Sequence, residues 1–228
     1  MVSNFLKWLE DKERAWRYSF GNDISTPQKR REAKWHFNLV DHAFLRVWWT
    51  NFFPVAEGVF RSNQPSGKRI GLYARNGIKA VLNLRGTSHY SPYLFEKEAV
   101  DQNGLMLVDI NLSPTQLPSR ETIVELEQHF RTLPRPFVMH CKSGADRAGF
   151  ASALYLLLIE GRSIEEAQKQ LSFRYLHLKS SRKGILDYGL EKYRLRNEAS
   201  PIPFRDWIAE EYDPEALSDE FHARKRRS

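Results

Sequence analysis

From about residue 55 onward, short apolar segments alternate with longer segments whose apolar residues have helical spacing. This alternation constrains the fold more than any other feature, because strands that alternate with helices of about 10–15 residues form a largely parallel sheet. We therefore predict an α/β fold with a central, mostly parallel sheet of about four to five strands and helices on both faces. The predicted strands cover residues 59–61, 79–84, 105–112 and 137–139, and the predicted helices cover 66–76, 91–103, 119–132, 148–160, 163–172 and 184–197.

The N-terminal residues lie outside this alternation. Residues 3–20 have helical spacing that ends at Gly21, and the polar, basic residues 22–32, which include Pro27, are predicted to be a linker. Residues 33–50 predict a second helix that is rich in Phe and Trp. We favour packing of this helix on the core, and the alternative is a surface helix that contacts a membrane, where Trp and Phe beside Lys and Arg are typical.

The C-terminal residues from Pro201 carry Trp207 and several acidic residues, and they end in a basic run that we predict to be disordered. The chain then divides into an N-terminal helical extension over 1–54, a central domain over 55–198, and a C-terminal helix with a basic tail over 199–228. No segment of about 18 apolar residues is present, and charged residues interrupt the first apolar positions. We therefore expect a cytoplasmic protein that is at most peripheral at a membrane.

The composition narrows the choice of partners. Lys and Arg outnumber Asp and Glu by 35 to 28, which gives a formal net charge of +7. This charge favours anionic partners such as phosphoesters, acidic lipid headgroups or nucleic acid. Nucleic acid is not expected, because the basic tail is short and no stacking motif is present. The single cysteine excludes an internal disulfide and, without its neighbours, would suggest a small buried apolar residue.

The neighbours of this cysteine indicate chemistry. The predicted strand 137–139 runs directly into residues 140–149, His-Cys-Lys-Ser-Gly-Ala-Asp-Arg-Ala-Gly, and an apolar helix follows. A short loop between a strand and a helix can turn its amides, together with the helix N-terminus, into one concavity that binds a phosphate dianion. The same field stabilises a thiolate at Cys141. Arg147 returns to the opposite rim, where its planar guanidinium can hold two phosphoryl oxygens.

This loop predicts one reaction. The thiolate attacks phosphorus in line with the leaving oxygen and forms a cysteinyl-phosphate intermediate, which water then hydrolyses. The loop amides and Arg147 stabilise the three equatorial oxygens. The reaction needs no metal or other cofactor, and the sequence has no His/Cys cluster that suggests one. The predicted phosphate-binding residues are Lys142, Ser143, Gly144, Ala145, Asp146 and Arg147.

Residues 140–149 resemble the signature of the protein tyrosine/dual-specificity phosphatase superfamily, His-Cys-x5-Arg followed by a small residue and Gly. Residues 60–65, 77–79 and 81–86 resemble its bacterial atypical dual-specificity members, so the resemblance covers about 55–195. It implies a dual-specificity-phosphatase-like fold and a phosphoric monoester hydrolase. It also implies that His140 orients the loop and tunes Cys141 by hydrogen bonding, and that Ser143 and Gly144 contribute amides to the phosphate site.

Arg61, Arg85 and Ala148 are three further positions that can be compared with that superfamily. Arg61 and Arg85 leave predicted strands near the same sheet edge, where each either contacts substrate or braces the loop, with a structural salt bridge as an equal alternative. Ala148 stands where the family usually has Ser or Thr, whose hydroxyl helps the thiolate to leave in the second step. That step is therefore predicted to be slow or to use another hydroxyl, such as that of Ser143.

The general acid that protonates the leaving group is the second departure from the family pattern. The family usually supplies an Asp from a loop upstream of the Cys, and here the matching segment, 109–115, offers only Asp109, within the predicted strand. We favour Asp146, because the similar loops of myotubularin and Sac-type phosphoinositide phosphatases also place Asp before Arg. The alternatives are Asp109, or neither residue, with Asp146 bracing loop amides and Asp109 forming a strand-end salt bridge.

The basic residues near the loop bear on the substrate. Lys142 and the basic segment 174–184, which includes Lys179, favour a phospholipid or other polyanionic phosphoester over a phosphotyrosine protein, with soluble phosphates as a third class. Segment 174–184 resembles a family segment beside the active site, and a solvated loop is the alternative. Two other functions are a phosphate- or headgroup-binding module with weak or no catalysis, and a rhodanese-type sulfur transferase, against which His140 and the interval to Arg147 argue.

Overall fold

The structure is a computed structural model that describes Lys12, residues 19–41 and residues 43–227. The helix predicted over 3–20 lies outside the described residues, apart from Lys12 and its last two positions. No helix of the described residues is long and apolar enough to cross a bilayer, and a cytoplasmic location stays a prediction.

The described residues contain one five-stranded sheet. Its strands are β1 (Phe53–Ala56), β2 (Val59–Asn63), β3 (Ala80–Asn83), β4 (Met106–Asp109) and β5 (Phe137–Cys141). They lie in the order β1-β2-β5-β3-β4, and all neighbours are parallel except β1 and β2. The predicted α/β fold with a mostly parallel sheet is therefore confirmed. Strand β1 is absent from the predicted strands because Pro54 lacks a backbone N–H, and an edge strand such as this one tolerates that loss.

Helices cover both faces of the sheet. Those of the described residues are α1 (Pro27–Trp35), α2 (Leu45–Trp48), α3 (Gly67–Arg75), α4 (Ser91–Gln102), α5 (Arg120–Thr132), α6 (Asp146–Leu158), α7 (Ile164–Gln168), α8 (Ile185–Ala199), α9 (Phe204–Glu210) and α10 (Pro214–Arg227). Side chains alternate between the two faces of each strand. Leu82 and Met139 join the larger core with α5, α6 and α8, whereas Val81 and Val138 join the smaller core with α3 and α4.

The N-terminal segment differs from its prediction. The linker predicted over 22–32 is wrong, because α1 begins at Pro27. Pro27 occupies the first helical turn, where no N–H is needed, and the Thr26 hydroxyl accepts the Lys29 N–H at 3.2 Å. The single helix predicted over 33–50 is also wrong. Helix α1 passes into a π-helical turn, His36–Val40, and the chain bends at Asp41 before α2.

The disordered C-terminal tail is a third incorrect prediction, because α10 continues to Arg227. Asp213 starts this helix by accepting the amides of Glu215 and Ala216 at 3.0 and 2.9 Å. Phe221 of α10 packs against Tyr188 of α8 with ring centroids 5.5 Å apart. The basic end of the chain is therefore carried on a helix that packs on the core. The predicted boundaries at 54/55 and 198/199 stay predictions, although β1 begins at Phe53, inside the predicted extension.

Candidate active site

The candidate site lies at the carboxyl end of the parallel strands. Cys141 is the last residue of β5, and it pairs in register with Asn63, the last residue of β2. Asn83, the last residue of β3, pairs with His140. Clefts in open α/β sheets form at this edge. Cys141 is a free cysteine with only 2 % of its surface exposed.

The loop after Cys141 has its carbonyl groups directed outward. Each carbonyl of residues 142–145 accepts a hydrogen bond from outside the loop: Lys142 O from the Gln64 amide (3.3 Å), Ser143 O from Asn51 Nδ2 (3.0 Å), and Gly144 O and Ala145 O from Arg61 Nη2 (2.7 and 3.1 Å). The opposite sides of these planar peptides carry the N–H groups, which therefore face the concavity at the start of α6. Such a nest of amides binds anions.

Gly144 lets this loop lie against β2. Its φ is +74°, which L side chains rarely adopt, and a Cβ there would meet the Asn63 amide nitrogen and the Ser62 carbonyl at 2.8 Å. Only glycine therefore fits this predicted phosphate-binding position without a shift of the backbone.

Arg61 is fully buried and directs its donors to protein acceptors. Its Nη1 donates to the Gln170 carbonyl at 2.7 Å and to the Gln170 side chain at 2.8 Å, while Nη2 donates to the loop carbonyl of Gly144. Its guanidinium lies 3.8 Å from the centroid of the Tyr175 ring. Burial lowers the pKa of Arg61 to about 10, so that it stays charged at neutral pH. These contacts are those of a residue that braces the loop.

His140 is also completely buried, and its partner is Glu96. His140 Nε2 lies 2.6 Å from Glu96 Oε1, and Gln64 Nε2 donates to Glu96 Oε2 at 2.8 Å. Sequence reasoning missed Glu96. A signal was present, because Glu96 shares the buried face of α4 with Ala99 and Val100, at helical spacing.

A cleft of about 440 Å³ opens beside the loop. Its cationic residues are Arg85, Lys142 and Arg147, and its other walls come from 86–88, from Tyr90, Tyr93 and Glu96 near α4, and from His36, Val40 and Asp41. Arg147 also borders a second cavity, formed with residues 111–118, where its Nη1 donates to Leu112 O at 3.5 Å. The structure thus brings the predicted residues Arg85, Lys142 and Arg147 to one cleft.

Asp41 is a second residue of this cleft that sequence reasoning missed. Its Oδ2 accepts from Arg46 at 2.5 Å, and its Oδ1 lies 3.2 Å from Arg85 Nη2 and 3.4 Å from Lys142 Nζ. Burial opposes ionisation, but the three cations together hold the pKa of Asp41 below its usual range. No local pattern around residue 41 indicates this role, because two of its partners are distant in the sequence.

Asp146 lies in a buried ion network below the loop. Its Oδ1 contacts His177 Nδ1 at 2.8 Å, and its Oδ2 contacts Lys183 Nζ at 2.8 Å. His177 Nε2 in turn contacts Asp187 at 2.6 Å. Burial opposes both charges, but hydrogen bonds to His177 and Lys183 lower the pKa of Asp146, and hydrogen bonds to the two carboxylates raise the pKa of His177 to about 9.

The remaining predicted residues lie at different distances from the cleft. Asp109 accepts hydrogen bonds from Asn83 Nδ2 at 2.8 Å and from the Tyr93 hydroxyl at 2.7 Å, and both donors line the cleft. Lys179 is exposed and borders a separate cavity with α10, so the structure does not bring it to the loop. No group of three or more His, Cys, Asp or Glu side chains in the described part of the chain could hold a metal ion.

Comparison with known proteins gives one family-model match and a shared fold. Residues 58–165 match the tyrosine phosphatase family model. The core catalytic domain of the PP-IP phosphatase SIW14 from S. cerevisiae, in complex with citrate, has 17 % identity and a TM-score of 0.50, over 67 % of this chain and 94 % of that one. P. aeruginosa TpbA has 17 % identity and a TM-score of 0.49, over 64 % and 90 %. The SIW14 likeness shows a shared fold, and no curated protein sequence matches the chain.

Proposed function

We propose that this chain, whose residues 58–165 match the tyrosine phosphatase family model, is a member of the protein tyrosine/dual-specificity phosphatase superfamily. It hydrolyses phosphomonoesters with Cys141 as nucleophile and Arg147 as phosphate clamp. One observation carries this assignment: every carbonyl of residues 142–145 is bound outside the loop, which directs the amides toward the phosphate site. Of these amides, that of Ala145 donates to the Ser143 hydroxyl at 3.4 Å. The N-terminus of α6 adds its positive end to the same concavity.

The reaction follows from these positions. The Cys141 thiolate attacks phosphorus while the bond to the leaving oxygen breaks, and the phosphoryl group passes to sulfur. The loop amides and Arg147 hold the three equatorial oxygens throughout, because charge develops there in the transition state. Water then attacks phosphorus, the phosphorus–sulfur bond breaks, and phosphate leaves with the thiolate restored.

We assign the general acid to Asp109 rather than to Asp146. A general acid must be protonated before it acts, and the pKa of Asp146 is lowered by two cationic partners. Both oxygens of Asp146 are also engaged away from the cleft, which supports a bracing role. Among the described residues, no cation contacts the two oxygens of Asp109, and both of its donors line the cleft.

The acid assignment is tested with leaving groups of different basicity. Asp109→Asn is expected to slow hydrolysis of an alkyl phosphate by about 10²-fold or more, and that of a nitrophenyl phosphate much less, because only the alkoxide needs a proton. Asp146→Asn serves as the matched control, and it should affect both substrates equally. If Asp146→Asn instead slows the alkyl phosphate much more than the nitrophenyl phosphate, Asp146 is the general acid.

The cleft supports a polyanionic substrate. Arg85, Lys142 and Arg147 place three cations around one cavity, and they outnumber its two carboxylates, Asp41 and Glu96. A monoester dianion needs only the loop and Arg147. We therefore favour a phospholipid or other polyanionic phosphoester over a phosphotyrosine protein. A second candidate function is a binding module with weak turnover. It is favoured by Ala148, which is fully buried and offers no hydroxyl for the second step.

Phosphate release from a substrate panel tests the function. The panel contains an aryl phosphate, a phosphotyrosine peptide, phosphoinositides and other phospholipids with a phosphomonoester, each with the wild type and with Cys141→Ser. We expect release from the lipids above that from the peptide, and none with Cys141→Ser. Undiminished release in Cys141→Ser would overturn the mechanism, and tight vanadate binding without release from any substrate would select the binding module.

A further inference from the structure

The N-terminal segment presents one helical face to the cleft and the neighbouring face to the outside. His36 and Val40, one turn apart, line the cleft. Trp35 and Leu39, each one residue earlier, lie about 100° around the helix, and 65 % and 51 % of their surfaces are exposed. The same segment thus builds a wall of the site and an apolar outer surface beside it.

The orientation of this segment is fixed by contacts with α4. Arg30 forms two hydrogen bonds with Glu98, at 2.7 and 2.6 Å. His36 Nδ1 lies 2.8 Å from the Ser91 hydroxyl, and Phe37 packs edge-on against Phe95. Because both the segment and the cleft are tied to α4, the exposed face keeps one position relative to the cleft.

Cationic side chains flank the exposed aromatic residues. Arg31, Lys34, Trp35 and Leu39, with Asn38, line a shallow groove of about 250 Å³. Lys29 pairs with Glu32 and Arg30 with Glu98, but among the described residues neither Arg31 nor Lys34 has an ion-pair partner. The groove lining contains no acidic residue within the described part of the chain.

The surface extends toward the end of α2. Asn38 also lines a second groove, which continues to Thr50, Lys68 and Leu72 and has no acidic lining among the described residues. Trp48, two residues before Thr50, has 92 % of its surface exposed. Its position is anchored, because the carbonyl groups of Trp49 and Thr50 accept hydrogen bonds from Asn63 at the end of β2.

We propose that Arg31, Lys34, Trp35, Leu39 and Trp48, hereafter the aromatic–basic surface, dock the protein on a membrane that contains anionic phospholipid. Exposed apolar surface rimmed by polar residues marks an interaction site. Trp is enriched at membrane interfaces, and Lys and Arg are attracted to anionic headgroups. A protein partner fits less well, because lysine is depleted at protein–protein interfaces and this surface has Lys34 beside Trp35.

Docking would bring the cleft to the headgroups. His36 and Val40 border the cleft, and each is one residue away from Trp35 or Leu39. A membrane that contacts Trp35 and Leu39 therefore lies beside the opening of the cleft. A phosphomonoester headgroup would then reach the loop without leaving the bilayer surface. This consequence rests on the proposed phosphatase function, whereas docking itself does not.

Vesicle co-sedimentation tests the docking independently of catalysis. The probe is the full chain with vesicles of phosphatidylcholine, with or without phosphatidylglycerol, a phosphodiester that a monoester phosphatase does not consume. We expect binding to the anionic vesicles only. The double variant Trp35→Ala/Trp48→Ala should bind about tenfold or more weakly, and Arg31→Gln/Lys34→Gln should lose the preference for anionic lipid.

A matched pair of leucines controls for general loss of apolar surface. Leu39 and Leu195 are similarly exposed, at 51 % and 47 %, but Leu195 lies on α8 outside the aromatic–basic surface. Leu39→Ala should weaken vesicle binding and Leu195→Ala should not. Hydrolysis of a soluble aryl phosphate without vesicles should be unchanged in all of these variants, which confirms that they are folded.

Several outcomes would overturn docking: no binding of the wild type to anionic vesicles, unchanged binding of the double tryptophan variant, or equal losses for the two leucine variants. A dimer in sedimentation that Trp35→Ala/Trp48→Ala converts to a monomer, without vesicle binding, would assign the surface to a second copy instead. Vesicle binding that depends on the surface, in a protein that hydrolyses no phosphomonoester, would uphold docking and overturn only the proposed function.

Discussion

The two ends of this chain place tryptophan side chains in opposite environments, buried at one end and exposed at the other. Both flank the family-matched residues 58–165, and both are rich in aromatic residues. In α9, Trp207 is buried against Tyr193 and Tyr212, with ring centroids 5.4 and 5.3 Å apart. In the N-terminal segment, Trp35 and Trp48 are exposed. Aromatic content alone therefore does not say whether a flank stabilises the core.

The difference lies in how each flank is attached. The C-terminal helices contribute Phe204, Trp207, Ile208 and Tyr212 to the larger core, so they add apolar burial. The N-terminal segment contributes polar contacts to the site, in addition to the packing of Phe37 on Phe95. Asp41 binds Arg85 and Lys142, and Asn51 holds the loop at Ser143. The C-terminal flank should therefore govern the free energy of unfolding, and the N-terminal flank should govern the cleft.

The largest effect is expected at Trp207. Trp207→Ala should lower the free energy of unfolding by about 3–5 kcal/mol, because it removes a large buried side chain and leaves a cavity. The KM for an aryl phosphate should change little in the fraction that stays folded, since Trp207 does not line the cleft. Chemical denaturation with parallel kinetics measures both quantities. A large KM change with unaltered stability would contradict the assignment of stability to the C-terminal flank and of the cleft to the N-terminal flank.

Asp41→Asn should give the complementary result. The neutral amide no longer holds Arg46, Arg85 and Lys142 in place, so we expect a several-fold higher KM for an aryl phosphate and a loss of about 1–3 kcal/mol in stability. Glu98→Gln is the matched control, because Glu98 also pairs with an N-terminal arginine but does not line the cleft. An equal KM change in both variants would show that the N-terminal segment affects the cleft only through its attachment to α4, and not through the contacts of Asp41.

Local sequence patterns anticipate the elements that local chemistry determines. The strands β3 and β5 are buried at every position, and each begins with three consecutive apolar residues, a pattern that predicts a buried strand. The polar, basic residues 22–32, which include Pro27, predict a linker, whereas proline at the first turn favours a helix. Composition could not separate these two roles.

The candidate site divides in the same way. Cys141, Lys142 and Arg147 are predictable because one short motif contains them. Asp41 and Glu96 are not, because each acquires its role from partners that only the folded sheet brings near. The acid role of Asp146 stays a prediction, and its contacts with His177 and Lys183, which bear on that role, come from residues that are distant in the sequence.

Alkaline pH should destabilise the ion network of Asp146, His177 and Lys183. The pKa of His177 is raised to about 9, so its stabilising charge is fully present below about 6.5 and is lost as pH rises toward 9. The thermal midpoint should therefore fall between these values in the wild type, and less so in His177→Gln. Equal falls in the two proteins would place the titration elsewhere and weaken the bracing role of Asp146.

The smallest effect on the isolated protein is expected at Trp35, and this variant tests the comparison most directly. Trp35→Ala is the same chemical change as Trp207→Ala, but it removes a side chain that is mostly exposed. Its effect on the free energy of unfolding should stay within about 0.5 kcal/mol, because little buried surface is lost and no cavity forms. A loss as large as that at Trp207 would mean that the N-terminal aromatic residues stabilise the core after all, and it would remove the reason for assigning them to a partner. If stability is unchanged while vesicle binding falls, the same residue type serves packing at one end of the chain and recognition at the other.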